Sequence, residues 1–215
     1  MNSQIPETIK AKDGKEMILI PAGEFLFGAN KQPMTLPAYY IDRTQVTNAE
    51  YKLYVDATKA SFPSHWRKGV PPAGTENHPV VHVTWFDAVD YAKWAGKRLP
   101  IGTEWEKAAR GTDGRVFPWG DTFDKKCLNC GEGGPLDTVP VGQYSPQGDS
   151  PYGVVDMAGN VYEWTNDGNE VITMGLRGGS WLEGRDAART FVVRKHTPRR
   201  KNDFIGFRCV MDVSN

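Results

Sequence analysis

The sequence predicts a mixed α+β domain of short strands, about three short helices and extensive ordered loops, and three observations lead there. Gly and Pro number 23 and 15 in 215 residues, so turns are frequent and elements brief. Three segments carry the chemistry of a helix start, and two of them close on a glycine. The remaining apolar runs are too short for anything but small strands. Seven Trp supply bulky side chains that pin loops to a core. At 39% hydrophobic and 24% charged residues the composition is globular. The length suits one sizeable core and is short for two.

Met1 to Lys15 is polar and reads as a tail, with the domain running from 16 to 215. The tail has no apolar signal-peptide core, and no run in the chain approaches the ~18 apolar residues of a membrane span. Taken as encoded, the chain is expected in the cytoplasm. Met17 to Ile20 and Gly23 to Gly28 read as two strands around a Pro-Ala-Gly turn, and Pro37 to Asp42 as another extended stretch. Thr47, Thr84 and Thr103 each precede an acid three residues on (Glu50, Asp87, Glu106). Each threonine hydroxyl can accept a first-turn N–H while the acid reaches back. The last two helices should end at Gly96 and Gly111 in left-handed caps. Residues 112 to 157 are rich in Gly, Pro and Asp without periodicity. A loop that long carries sites of its own or is tied down by ions. Leu176–Trp181 and Ile205–Met211 read as paired core strands.

Formal net charge is zero but unevenly spread. Asp121 to Glu170 holds nine acids and two bases, and Arg185 to Arg208 holds eight bases and two acids. The basic stretch is either a binding face for an acidic ligand or a set of arginines pairing with the acidic middle of the same chain. A near-neutral whole argues against a dedicated nucleic-acid binder. Cys127 and Cys130 form one C-x-x-C without a second ligand pair for zinc, and Cys209 reads as a buried small hydrophobe.

Nine blocks follow one another in a recognisable order. They are Ile20–Phe25, Gln45–Tyr51, His78–Val81, Arg98–Pro100, Thr103–Gly111, Phe117–Gly120, Asp156–Trp164, Leu176–Trp181 and Gly206–Arg208. From about residue 16 to 212 the chain resembles the formylglycine-generating-enzyme (sulfatase-modifying factor) domain family. The resemblance implies a C-type-lectin-like fold with a small antiparallel sheet. It does not by itself imply the activity. Members that make formylglycine carry two cysteines after the Gly-Gly-Ser-aromatic block, and these bind copper. Those positions fall on Glu183 and Ala188 here, and neither can supply the thiolate a soft Cu(I) site needs, so no copper is expected.

Iron-dependent relatives bring three histidines. This chain has His65, His78, His82 and His196. Only His78 and His82 are close in sequence, and in an extended segment they need not share a face. Structural calcium is the metal the resemblance implies, through Asn160 and Glu163 of the Gly-Asn-x-x-Glu-Trp block, with Asn129 as candidate for a second site. The competing reading of Asn160 and Glu163 is a hydrogen-bonded turn whose buried carboxylate faces an arginine.

In the same fold family the stretch between Gly-Gly-Ser-Trp and Gly-Phe-Arg forms the ligand-binding surface, here Trp181 to Phe204. It also resembles the variable segment of diversity-generating-retroelement proteins. Nearly every residue from Leu182 to Phe204, Glu183, Lys195 and Lys201 excepted, is reachable by change at the adenines of Asn-type codons. The outward-facing candidates for contact with a protein or other surface ligand are Trp181, Leu182, Glu183, Arg185, Phe191, Val193, His196 and Phe204. Trp181 is also a candidate for the frame, as are Arg177, Arg189 and Arg208. The leading expectation is a non-catalytic module displaying a variable surface, which the retroelement resemblance would deliver to a virion or cell surface. The alternatives are a metal-dependent oxidase or oxygenase of the family with non-cysteine chemistry, for which Glu183 and His196 are the local candidates, and a structural or accessory domain.

Overall fold

A computed structural model of the chain describes residues 5–213. Two four-stranded sheets and a hairpin carry three helices. The first sheet takes β1 (Thr8–Lys10), β2 (Glu16–Ile20), β5 (Tyr39–Asp42) and β10 (Val210–Asp212), all antiparallel, in that order. Every residue of β5 is buried, as a central strand requires. The hairpin pairs β3 (Gly23–Phe27) with β4 (Gln32–Leu36). The second sheet runs β8 (Arg194–His196), β7 (Thr173–Arg177), β6 (Tyr162–Asn169), β9 (Ile205–Gly206), with β6 and β9 parallel.

The runs expected to pair with each other do not. β6 lies between β7 and β9, and the second run divides between the two sheets. The cause is Phe207, Arg208 and Cys209, all fully buried, where the chain crosses from one sheet to the other with its side chains in the core. The assumed tail also contributes. β1 lies within it, Asp13 binds the buried Lys97 ammonium at 2.7 Å, and the Lys15 ammonium meets Glu50 at 2.7 Å.

The helices are α1 (Asn48–Thr58), α2 (Trp85–Trp94) and α3 (Gly102–Arg110). Thr47 and Thr84 close capping boxes with Glu50 and Asp87, each cap stabilising by about 1 kcal/mol. The third start differs from expectation: Ile101 precedes the helix and its N–H donates to Glu104 at 3.0 Å. Glu106, which the sequence offered as the cap acid, is instead fully buried. It accepts from Arg110 at 2.6 Å and Arg177 at 2.9 Å.

Three apolar clusters fill the fold. The largest packs α1 and α2 against the second sheet through Tyr51, Tyr91, Trp164 and Phe207. Another sets Trp105, Ala108 and Ala109 of α3 on the first sheet. The third, Phe117, Leu128, Cys130, Ala158 and Ala188, sits beneath the long loop. Residues 112–157 hold no helix or strand. They are fixed by that satellite core and by backbone bonds such as Val141 N–H to Asn77 O at 2.9 Å. Glycines permit close approaches there: a Cβ at Gly148 would lie 2.1 Å from the Cys127 carbonyl oxygen, and one at Gly159 2.3 Å from that of Asn129.

Candidate functional site

β7 ends at Arg177, and Gly178 and Gly179 turn the chain with φ of 93° and 74°. A Cβ at Gly179 would stand 3.1 Å from the backbone of Ala187 and Ala188. The glycines therefore let the segment 181–204 fold back over the end of the sheet. Backbone hydrogen bonds then hold it along its length. Trp181 N–H donates to Asn160 O at 2.9 Å, Gly131 N–H to Glu183 O at 3.0 Å and Thr190 N–H to Val116 O at 2.8 Å. Further on, Trp85 N–H reaches Pro198 O at 3.0 Å, His82 N–H reaches Asn202 O at 2.9 Å and Tyr162 N–H reaches Phe204 O at 2.9 Å. Arg194–His196 adds as an edge strand to β7, an order the sequence pattern did not reveal.

Within this fixed loop the side chains divide. Ala187, Ala188, Thr190, Pro198 and Asn202 are buried. Leu182 (51% exposed) and Val193 (42%) stand in solvent, and so do Arg185, Arg194, Lys195, Arg199, Arg200 and Lys201. Trp181 is half-buried, its Nε1 donating to Asp203 O at 3.2 Å. Two aromatic residues expected outside are half-buried instead, because each has apolar area to cover. Phe204 packs on the main cluster and Phe191 lies under the Arg110 guanidinium, 5.5 Å from the ring centroid. His196 is half-buried, and its Nδ1 accepts from Thr197 N–H at 3.0 Å. Burial, then the charge of Arg200, lowers its pKa.

Glu183 and Ala188 differ in what surrounds them. Ala188, 1% exposed, is part of the satellite core. Glu183 pairs with Arg194 at 2.9 Å in a shallow cleft of about 270 Å³ that Glu132 and Arg185 share. The Tyr162 hydroxyl faces Glu183, and burial first, then that carboxylate, pushes the tyrosine pKa up. His196 does not line this cleft, so the cleft holds only one of the two residues considered for non-cysteine catalysis. Arg185 forms an ion pair with Glu132 and lies 4.4 Å from the centroid of the Phe123 ring. That contact and Arg208–Glu163 join the basic stretch to the acidic middle. Arg189 pairs with Asp186 and Lys201 with Asp87. The basic stretch is thus compensated in part.

Beneath the segment lies a polar hub. Glu163 is 1% exposed. It accepts from Arg208 Nε at 2.7 Å and Nη2 at 2.8 Å, from Trp105 Nε1 at 2.6 Å and from Gln45 Nε2 at 3.1 Å. The Gln45 amide nitrogen also lies 3.2 to 3.5 Å from the carbonyls of Val161, Asp156 and Gly159. Asn160 Oδ1 accepts from Asn129 Nδ2 and Val139 N–H, while its Nδ2 donates to Gln45 and Val139 O. Calcium wants six to eight oxygens free to turn toward it. Glu163 and Asn160 do not fit that role here. Their oxygens face N–H donors, and the Gln45 amide stands where the oxygens converge. Asn129 keeps one buried Oδ1 without a partner, which alone is not a coordination shell. Among the described residues no three His, Cys, Asp or Glu side chains are grouped to hold a metal.

Sequence reasoning missed the buried partnerships of Gln45 and Glu106, because 118 residues separate Gln45 from Glu163 and 71 separate Glu106 from Arg177. It also missed that His65, distant in sequence, meets His82 with ring centroids 4.8 Å apart.

A family model described as the sulfatase-modifying factor enzyme 1-like domain matches residues 2–213. The chain belongs to this family. Its fold is the C-type-lectin-like one of sulfatase-modifying-factor domains. The serine/threonine-protein kinase Pkn1 of Chlamydia trachomatis serovar L2 is 33% identical over 92% of this chain, which spans only 38% of the kinase. The formylglycine-generating enzyme of Streptomyces coelicolor is 31% identical, covering 95% of this chain and 91% of its own. Treponema denticola variable protein 1 superposes with a TM-score of 0.81 over 97% of this chain and 100% of that one. At 22% identity that likeness is one of fold. No helix among the described residues is long and apolar enough to cross a membrane.

Proposed function

We propose that this sulfatase-modifying-factor domain is a non-catalytic binding module that presents residues 181–204 to a protein or other surface ligand. One observation carries the reading: the segment's backbone is bonded to the frame along its length while Leu182, Arg185, Val193 and Lys195 project outward. A face already fixed loses little entropy on docking, and exposed Arg and apolar side chains are the usual anchors of an interface. The two positions at which catalytic members hold thiolates support it. One is an ion-paired carboxylate and the other a buried methyl group, so copper-bound sulfur has no place at the mouth of this site. The fold shared with a variable protein is consistent with display as the scaffold's use. The test is oxygen uptake and mass spectrometry of a cysteine-containing peptide incubated with the copper-treated chain. No conversion of cysteine to formylglycine is expected, and turnover above a protein-free control overturns the reading.

A second reading has its own support. Because Pkn1 contains this domain as 38% of its length, the chain also suits the role of an accessory domain in a larger protein or assembly.

A further inference from the structure

A second cleft, about 400 Å³ in volume, opens beside the presented segment, within the size range of small-ligand sites. It lies at the start of α1, and its chemistry comes from Asn48, His65, His78, His82, Asp137 and Asp203.

The polar atoms here are unbalanced. Asn48 is 3% exposed, and its Nδ2 is committed to Thr75 O at 2.9 Å, which fixes the amide's orientation. Its Oδ1 is buried and has no partner, and neither has His65 Nδ1. A buried acceptor left unpaired is unfavourable, and a ligand that donates a hydrogen bond removes the penalty. Burial, and then the neighbouring His82, lowers the His65 pKa, and burial lowers that of His78. Burial thus favours the neutral form of the His65 and His78 imidazoles. Asp137 and Asp203 add carboxylates, and no Lys or Arg lines the cleft.

Anions are disfavoured by that balance. The first amides of α1 are already used, Asn48 N–H by His78 O and Ala49 N–H by Glu76 O, both at 2.9 Å. The helix start therefore offers no free donors. A preformed metal centre is disfavoured too, since the described residues hold no converging set of three ligands. We propose that this cleft binds an organic cation rich in hydrogen-bond donors, a guanidinium or primary ammonium group. Asn48 Oδ1 and one imidazole would accept from it and the two carboxylates would balance its charge. Only Asp203 belongs to the segment 181–204, so the proposal stands apart from the display function and its failure leaves that function untouched.

The experiment is titration of the full chain with agmatine, followed by amide and imidazole NMR shifts. A parallel titration uses an acetylated, amidated Gly-Arg-Gly peptide. Saturable shifts at His65 and His82 are expected, weakened about 10-fold or more by Asp137→Asn or Asp203→Asn, since each removes a charge-assisted contact. Both acids are exposed, so these variants keep the fold. His82→Asn removes one imidazole at a residue with φ of 60°, a conformation Asn tolerates. Binding of both probes assigns the site to a basic side chain of a partner, and binding of agmatine alone assigns it to a free amine. No saturable shift with either probe overturns the proposal, as does wild-type affinity in all three variants. A one-to-one zinc complex that excludes agmatine replaces it with a metal site.

Discussion

Replacing Arg208 with Met tests the frame beneath the segment. Arg208 is fully buried. Besides its two bonds to Glu163 it donates to the carbonyls of Asp42 (3.1 Å), Val155 (2.9 Å) and Asp156 (3.2 Å). It therefore joins β5, the end of the long loop and β6 at one point. Methionine approximates the length of the side chain, so the change removes charge and donors more than volume. The Glu163 carboxylate would keep only Trp105 and Gln45 as partners, in a site closed to water. Breaking a buried ion pair from one side costs about 3–5 kcal/mol, a large share of the ~5–15 kcal/mol that holds a domain together. Urea unfolding followed by tryptophan fluorescence measures it. The double variant Arg208→Met/Glu163→Gln should recover part of the loss, because the stranded charge is gone. If Arg208→Met costs less than about 1 kcal/mol, a surface-like value, or if Glu163→Gln gives no relief, the hub does not bind the frame as argued.

Two further predictions concern the same region. Burial pushes the pKa of Asp156 up to about 6, with the Gly142 amide and Arg208 working against it. Its folded pKa is thus above the unfolded value of about 3.9. The associated stability is fully present below about pH 4 and is lost as pH rises through about 6, up to ~3 kcal/mol by linkage. Asp156→Asn should therefore be more stable than the parent at pH 7–8, by about 1–3 kcal/mol, with the difference fading toward about pH 4. Unfolding midpoints across that range decide it, and a pH-independent difference contradicts it. Metal chelation should leave the thermal midpoint unchanged because Gln45 fills the point where the hub's oxygens meet, whereas Gln45→Ala should cost about 1–3 kcal/mol. A midpoint that drops on chelation and returns with calcium means that the hub binds a cation.

The fold was legible to the extent that its signals are local. Thr47–Glu50 and Thr84–Asp87 announce helices because a capping box is complete within four residues. The ordered blocks gave the architecture because nine short segments in sequence are specific. Register and partners were not legible. Glu104 and Glu106 both sit near the start of α3, and nothing local says which caps the helix and which holds Arg110 and Arg177 in the core. Arg208 and Cys209 interrupt what reads as one strand, because a single apolar run cannot show that the chain changes sheets within it. Among the candidate contact residues, Leu182, Arg185 and Val193 lie exposed. Phe191 and Phe204 are half covered by Arg110 and the main core, neighbours far away in sequence. The histidine cleft was invisible for the same reason: His65 reaches His82 only through the folded loop.

The central claim, that a rigid frame displays a replaceable face, is tested most directly by replacing the face itself. Leu182, Arg185, Val193 and Lys195 changed together to Ser should alter the unfolding free energy by no more than about 2 kcal/mol, four surface increments. Hydrogen exchange should still protect the amides of Trp181 and Thr190. A combined variant that loses cooperative unfolding, or whose segment exchanges freely, would show that these side chains hold the fold together rather than being presented by it.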